Sequence, residues 1–177
     1  MNQQITVLQN GQERIVTFDD CLAYHGRDSI GGLTLGFRLV DFALSKLAKF
    51  TLEEDSLTFD TAFAGPGIKD ALEVTIHAVS RGAWREIDPT MLPQAPEGVY
   101  GRMWFAMTSG TSKIVMQLKP GVISDDFIKT GRAVKAGDTD PALLAHWTQV
   151  KEKLAADVAA CDMNDILDTI IMRVPRR

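Results

Sequence analysis

Cysteine is scarce in this chain: Cys21 and Cys161 are the only two, and they lie far apart. Such usage gives no disulfide framework and suits a reducing cytoplasm. Long apolar runs are missing too, so no segment approaches the length of a membrane span. The opening residues MNQQITVLQNGQ lack the charged and apolar regions of a signal peptide. There is no excess of positive charge. Lys and Arg number 19 against 23 Asp and Glu, a formal net charge of −4, and no basic face interleaved with aromatics stands out, which argues against nucleic acid as a partner. Repeats and low-complexity tracts are absent. The expectation left standing is a cytoplasmic protein with neither membrane nor nucleic acid as partner. What is present is ordinary for a globular chain: 177 residues, 45% hydrophobic and 24% charged. That length suffices for one domain with a substantial core and an appended segment.

The stretch from Thr17 to Phe50 organises the rest. Thr17 can accept from the backbone N–H three residues on, and Asp20 stands where a capping box places an acid. A short helix is therefore expected to run to about His25, with Gly26 as a residue that tolerates positive φ at its end. A second helix is expected after Gly31 and Gly32, because Leu33, Phe37, Val40, Leu44 and Leu47 recur at helical spacing. Between the helices lies a polar turn, from His25 to Gly32, rich in reactive side chains.

Elsewhere, Asn10-Gly11 between apolar runs predicts a hairpin. The connector from Thr51 to Asp55 is acidic. A strand is expected over 56–64, where Leu57, Phe59 and Phe63 alternate, and Gly65-Pro66-Gly67 breaks it. A third helix is read over 68–81, with Asp70, Glu73 and His77 on one face. The stretch from Trp84 to Gly98 holds three prolines and reads as a loop, long enough to serve as a lid. A second hairpin is expected over 99–108 and 113–119. Its first strand has two partly apolar faces, which suggests that one packs on helices and the other on a second copy of the chain or a ligand. Asp140-Pro141 opens a helix to about residue 160, and 164–172 is read as helical too. Strands and helices without regular alternation predict an α+β fold, an antiparallel sheet packed against helices. The expected division is a core over 1–125 and a C-terminal helical extension over 126–177.

The turn and its surroundings resemble the FmdE-like family of formylmethanofuran dehydrogenase proteins, whose opening motif has the form F-H-G-H-x-C-P-G-x-x-x-G-x-R. His25-Gly26 match its start and Leu35-Gly36-Phe37-Arg38 its end. The run from Gly67 to Glu73 is similar to the family's C-x-x-D-x-I-Q segment. Tyr100 to Phe105, followed by Val115 to Pro120, is similar to its closing hairpin. The resemblance covers roughly residues 15–125. Departures are evident: Arg27 or Asp28 replaces the second His, Ser29-Ile30 replace Cys-Pro, and Pro66 or Gly67 replaces a later Cys. No C-terminal Cys-rich zinc finger is possible here. The resemblance implies an α+β core and an association with one-carbon chemistry in anaerobes. A site inherited from the family would be rebuilt from His and oxygen ligands or would have lost its metal.

Several side chains are candidates for a site, each with a plainer role beside it. Cys21 and His25 are four apart and could clamp a soft divalent ion, or Cys21 could be a small buried hydrophobe. Asp70, Glu73 and His77 offer carboxylate and imidazole ligands suited to zinc or iron, or a solvated helix face. Arg27, Asp28 and Ser29 precede a helix start and could hold an anion, or merely cap it. Arg38 is expected to pair with Asp41 or Asp60, and His146 and Trp147 to be packing residues. Three functions follow. One is a metal-handling protein or enzyme, with zinc or iron held by His25, Asp70, His77 and Cys21. Another is a binding module for an organic cofactor such as haem or another tetrapyrrole. It would be ligated through His25, with Arg27 and Ser29 nearby and Tyr100 and Trp104 as apolar walls. The third is a homodimeric scaffold whose site has decayed.

Overall fold

The computed structural model describes residues 4–175. Helices pack on one face of a mostly antiparallel sheet, the α+β arrangement expected from the pattern. Strands β1 (Gln4–Gln9) and β2 (Gln12–Thr17) form their own hairpin. Asn10 and Gly11 both take positive φ, 54° and 77°, the conformation a two-residue hairpin turn needs. The hairpin leads directly into α1 (Phe18–His25). Thr17 accepts from the Asp20 N–H while the Asp20 carboxylate accepts from the Thr17 N–H, so the capping box closes as read.

Helix α2 (Ile30–Leu47) is the central element. It begins one residue before the glycine pair rather than after it, so Gly31 and Gly32 lie inside its first turn. The reason is packing. A Cβ on Gly31 would lie 2.9 Å from the Leu154 side chain, and one on Gly36 would lie 2.8 Å from Ala71. Leu33, Phe37, Leu39 and Val40 are fully buried, because neighbours surround α2 on several sides.

The main sheet has the order β4-β3-β6-β7-β8, with β5 also paired to β6. Strand β3 (Leu57–Phe63) buries Leu57, Phe59 and Phe63 on its helix side. Strands β6 (Gly101–Ser109) and β7 (Ser112–Leu118) form the expected hairpin. Met103, Phe105 and Met107 face the helices and are buried. The opposite face is partly apolar, with Trp104, Ala106 and Val115, and also carries a charged cluster. On it Asp60 lies 2.6 Å from Arg85 and 3.1 Å from Lys113, whose ammonium also stands 5.9 Å from the Trp104 ring.

Three expectations are corrected. Helix α3 spans Pro66–Ile76, not 68–81. It starts early because Pro66 suits the first helical position, and it stops at His77, which is left-handed with φ 49° and ψ 36°. The proline-rich stretch is no lid. Strand β4 (Trp84–Glu86) pairs in parallel with Phe59–Thr61, and β5 (Glu97–Gly98) pairs with Gly101 and Arg102, which pins the segment to the sheet. The segment 126–177 is not helical to its end. Helices α4 (Asp125–Lys135), α5 (Pro141–Ala160) and the one-turn α6 (Met163–Ile166) pack on the core. Then, where 164–172 reads as helical, the chain from 167 onward forms β8 (Leu167–Arg173) along the full length of β7. The run Thr169-Ile170-Ile171 is β-branched and fits a pleated surface better than a helix.

Candidate functional site

His25 closes α1, and its ring meets α3. Its Nδ1 lies 2.6 Å from Asp70 Oδ2. The imidazole side chain is 7% exposed and the carboxylate 33%. A carboxylate on one ring nitrogen fixes orientation and leaves the other to act. That other nitrogen, Nε2, is buried without a hydrogen-bond partner. The dyad joins the two segments singled out by sequence, since His25 lies four residues before Ser29 and Asp70 three residues after Gly67.

Those two segments meet in a half-open cleft of about 80 Å³. Its floor is backbone: Ser29, Gly31 and Gly32 open α2, while Gly65, Pro66 and Gly67 open α3. Glycine is required where the helices touch, because a Cβ on Gly67 would lie 2.6 Å from both Leu33 N and Ser29 O. The walls are Phe63, Tyr100, Phe127 and Trp147. Phe127 and Trp147 pack with their rings tilted by 57° and centroids 4.6 Å apart, and Tyr100 meets Phe63 edge-on at 5.9 Å. Lys151 also lines the cleft, its ammonium donating to the Asp28 carbonyl at 2.5 Å. A wider groove of about 360 Å³ lies between β1 and the end of α2, but no helix start lines it.

The electrostatics of the cleft are positive. A helix N-terminus carries partial positive charge on N–H groups that lack intrahelical partners. A side chain usually satisfies one of them. Thr17 does so for α1, Ser124 for α4, Asp140 for α5 and Asp162 for α6. Helices α2 and α3 have no side-chain cap, and these are the two that form the cleft floor.

The remaining predicted residues are divided between the cleft and other places. Ser29 and Tyr100 line the cleft. Arg27 is turned away, its guanidinium donating to both Glu152 oxygens at 2.8 and 2.9 Å. Trp104 is on the opposite face of the sheet, beside Lys113. Cys21 is fully buried, and burial, reinforced by the nearby Asp20 charge, pushes its thiol up to about 12. His77 sits at the far end of α3, its Nδ1 3.0 Å from Glu54 Oε2. The same Glu54 oxygen accepts from Arg14, which also donates to the Val74 and Thr75 carbonyls at the helix end. Burial raises the Glu54 pKa, yet the hydrogen bonds from Arg14 and His77 outweigh it and hold the carboxyl below its ordinary value. Arg38 donates to the Cys161 carbonyl at 2.6 Å, and His146 meets Asp126 at 2.8 Å.

Cys21, His25, Asp70 and His77 thus do not converge on one point. Among the described residues, no group of three or more His, Cys, Asp or Glu side chains is placed to hold a metal ion. His25 Nε2 alone is a single donor, and this donor set does not fit a resident zinc or iron. Nor does the cleft match a tetrapyrrole. It has room for two or three water-sized groups, against the roughly 300–1,000 Å³ of larger ligand pockets.

Lys151, Phe127 and Trp147 were not assigned to the site by sequence reasoning. Nothing local marks a lysine in mid-helix as facing a cleft a hundred residues away in the chain. One signal was there to use: Gly65-Pro66-Gly67 begins a helix as well as ending a strand. Compared with known proteins, the chain matches no family model and no curated protein. The likeness to the FmdE-like family therefore rests on the residues that suggested it. Among the described residues, no helix is long and apolar enough to cross a membrane.

Proposed function

We propose that this protein binds a small organic anion of the carboxylate class in the cleft between the first turns of α2 and α3. One observation carries the reading: the two helices that meet there are the only α-helices among the described residues without a side-chain cap. Uncapped N–H groups favour an anion, and Lys151 adds a full positive charge at the same cleft. The volume selects a carboxylate with a short stem, and the aromatic walls suit its apolar or planar part. Neither His25 nor Asp70 lines the cleft, so the polar contacts to the ligand fall to the backbone N–H groups and Lys151. The likeness of residues 15–125 to the FmdE-like family of formylmethanofuran dehydrogenase proteins gives the ligand a direction, a one-carbon or short acyl acid. In that setting the protein would serve as an accessory of anaerobic one-carbon metabolism.

Thermal unfolding in the presence of formate, acetate and inorganic phosphate, at matched ionic strength, tests the reading. A ligand at about a hundred times its Kd stabilises by about 2.7 kcal/mol, a Tm rise of roughly 5–10 °C for a chain of this size. The carboxylates should produce that rise, and Lys151→Met should abolish most of it. A response to phosphate alone would replace the carboxylate assignment. Silence toward all three overturns the binding proposal and favours a scaffold with a decayed site.

A further inference from the structure

We propose that β8 is the contact edge of a homodimer, pairing antiparallel with β8 of a second copy about a two-fold axis at Ile171. The inference is independent of the cleft. One side of β8 is fully paired to β7 over seven residues. The Lys119 N–H donates to the Ile166 carbonyl and the Val174 N–H to the Thr111 carbonyl. These two bonds fix the alternation: Ile170 and Met172 direct their main-chain groups toward β7, while Thr169, Ile171 and Arg173 direct theirs outward. Apart from Leu167, every residue of the strand is exposed. Ile170 is 60% exposed, Ile171 57% and Met172 39%.

Edges like this are normally blunted by charge, proline or a bulge. Here the central run Thr169 to Met172 has no charge and no proline, and its register with β7 is unbroken. Charge placement fits a second copy lying antiparallel. Asp168 stands at one end of the strand and Arg173 at the other. An antiparallel copy therefore sets ends of unlike charge side by side, on opposite faces of the joined sheet and without a direct ion pair, whereas a parallel one would set like against like. The two-fold at Ile171 keeps each residue on its own face of the joined sheet. It pairs Ile171 with its own counterpart through two main-chain hydrogen bonds, Ile170 with Met172, and Thr169 with Arg173. Such an interface is self-complementary, as two-fold contacts must be. Strand edges of this length are short against the roughly 800 Å² per partner of a standard interface, so the dimer is expected to depend on concentration.

Sedimentation velocity of the full chain over a dilution series reads the association directly. The result expected is a monomer–dimer equilibrium that Ile171→Pro and Ile171→Lys each weaken about tenfold or more, a loss of at least 1.4 kcal/mol. Ile171→Pro removes an outward N–H without touching the β7 ladder. Ile171→Lys leaves the main chain intact, so it decides the matter should the proline variant unfold. In a Cys161→Ser background, Ile171→Cys should form a disulfide-linked dimer on mild oxidation, since a hydrogen-bonded pair sets Cα atoms about 5.5 Å apart. Ile170→Cys, facing Met172 of the second copy, should do so far more slowly. A monomer at every concentration overturns the proposal. So does a dimer that Ile171→Lys leaves unchanged, whatever other surface then holds it.

Discussion

Cys21 shows how one side chain can look reactive in sequence and be inert in place. Its spacing from His25 would suit a shared ligand, yet it is sealed in the core with its thiol pushed up to about 12. At pH 8 a thiol with that pKa is ionised in roughly one molecule in ten thousand, and the thiolate is the nucleophile. Cys161 lies nearer the surface. Titration of the native protein with a thiol reagent at pH 8 should therefore label Cys161 alone, with Cys21 reacting only after denaturant is added. His25 differs in kind: it too is buried, but its Nδ1 is held by Asp70 and its Nε2 has no partner. That contrast leaves His25 with a nitrogen able to take a partner and Cys21 with a packing role alone.

At the scale of elements, the seam between α2 and α3 depends on glycine at some positions and merely tolerates it at others. Gly67 has backbone atoms 2.6 Å from where its Cβ would be, whereas Gly32 has nothing nearer than 3.6 Å. Gly67→Ala should destabilise by about 3 kcal/mol, because backbone cannot yield as a side chain can. Gly32→Ala should be neutral or stabilise by up to about 1 kcal/mol through helix propensity. Urea unfolding of the two variants separates them. The elements themselves were legible where local chemistry was strong: the Asn10-Gly11 hairpin, the Thr17–Asp20 box, the apolar stripe of α2 and the Asp140-Pro141 start. The end of α3 was not. The apolar residues of 68–81 keep helical spacing as far as Val79, and the left-handed turn at His77 is held by Glu54 from a distant connector. Strand β8 was missed for a similar reason, since its partner β7 lies some fifty residues earlier. In the cleft, Ser29, the glycine pair and Tyr100 were legible, while Phe63, Phe127, Trp147 and Lys151 arrive by tertiary packing.

For the whole molecule, acid is the expected weak point. Glu54 joins the hairpin, the connector and the end of α3 through Arg14 and His77. Glu73 accepts the Val79 and Ser80 N–H groups just beyond that end. Burial raises the Glu73 carboxyl, but its hydrogen bonds with Ser80 and Val79 bring it, like Glu54, below the ordinary 4.5. A carboxyl depressed by folding adds stability above its unfolded pKa, and that stability drains away as pH falls through the folded value. Stability to urea should thus be flat above about pH 5.5 and fall steeply below pH 4.5. Glu54→Gln should cost about 2 kcal/mol at neutral pH and make the acid slope shallower. An unchanged slope in that variant would remove Glu54 from the account.

The left-handed residue at the end of α3 also decides how the sheet is bordered. By turning the chain at His77, it lets the Ala83 and Trp84 N–H groups reach the Ala78 carbonyl and lays three residues of β4 along β3. A helix continued to residue 81 would carry the chain about 7.5 Å further along its axis and away from that position. The border made at β4 is three residues long and has Arg85 at its centre, whereas the border at β8 is seven residues long and bare. A sheet finished on one side and unfinished on the other can extend itself once, into a closed pair, and has no second margin from which a fibre could grow.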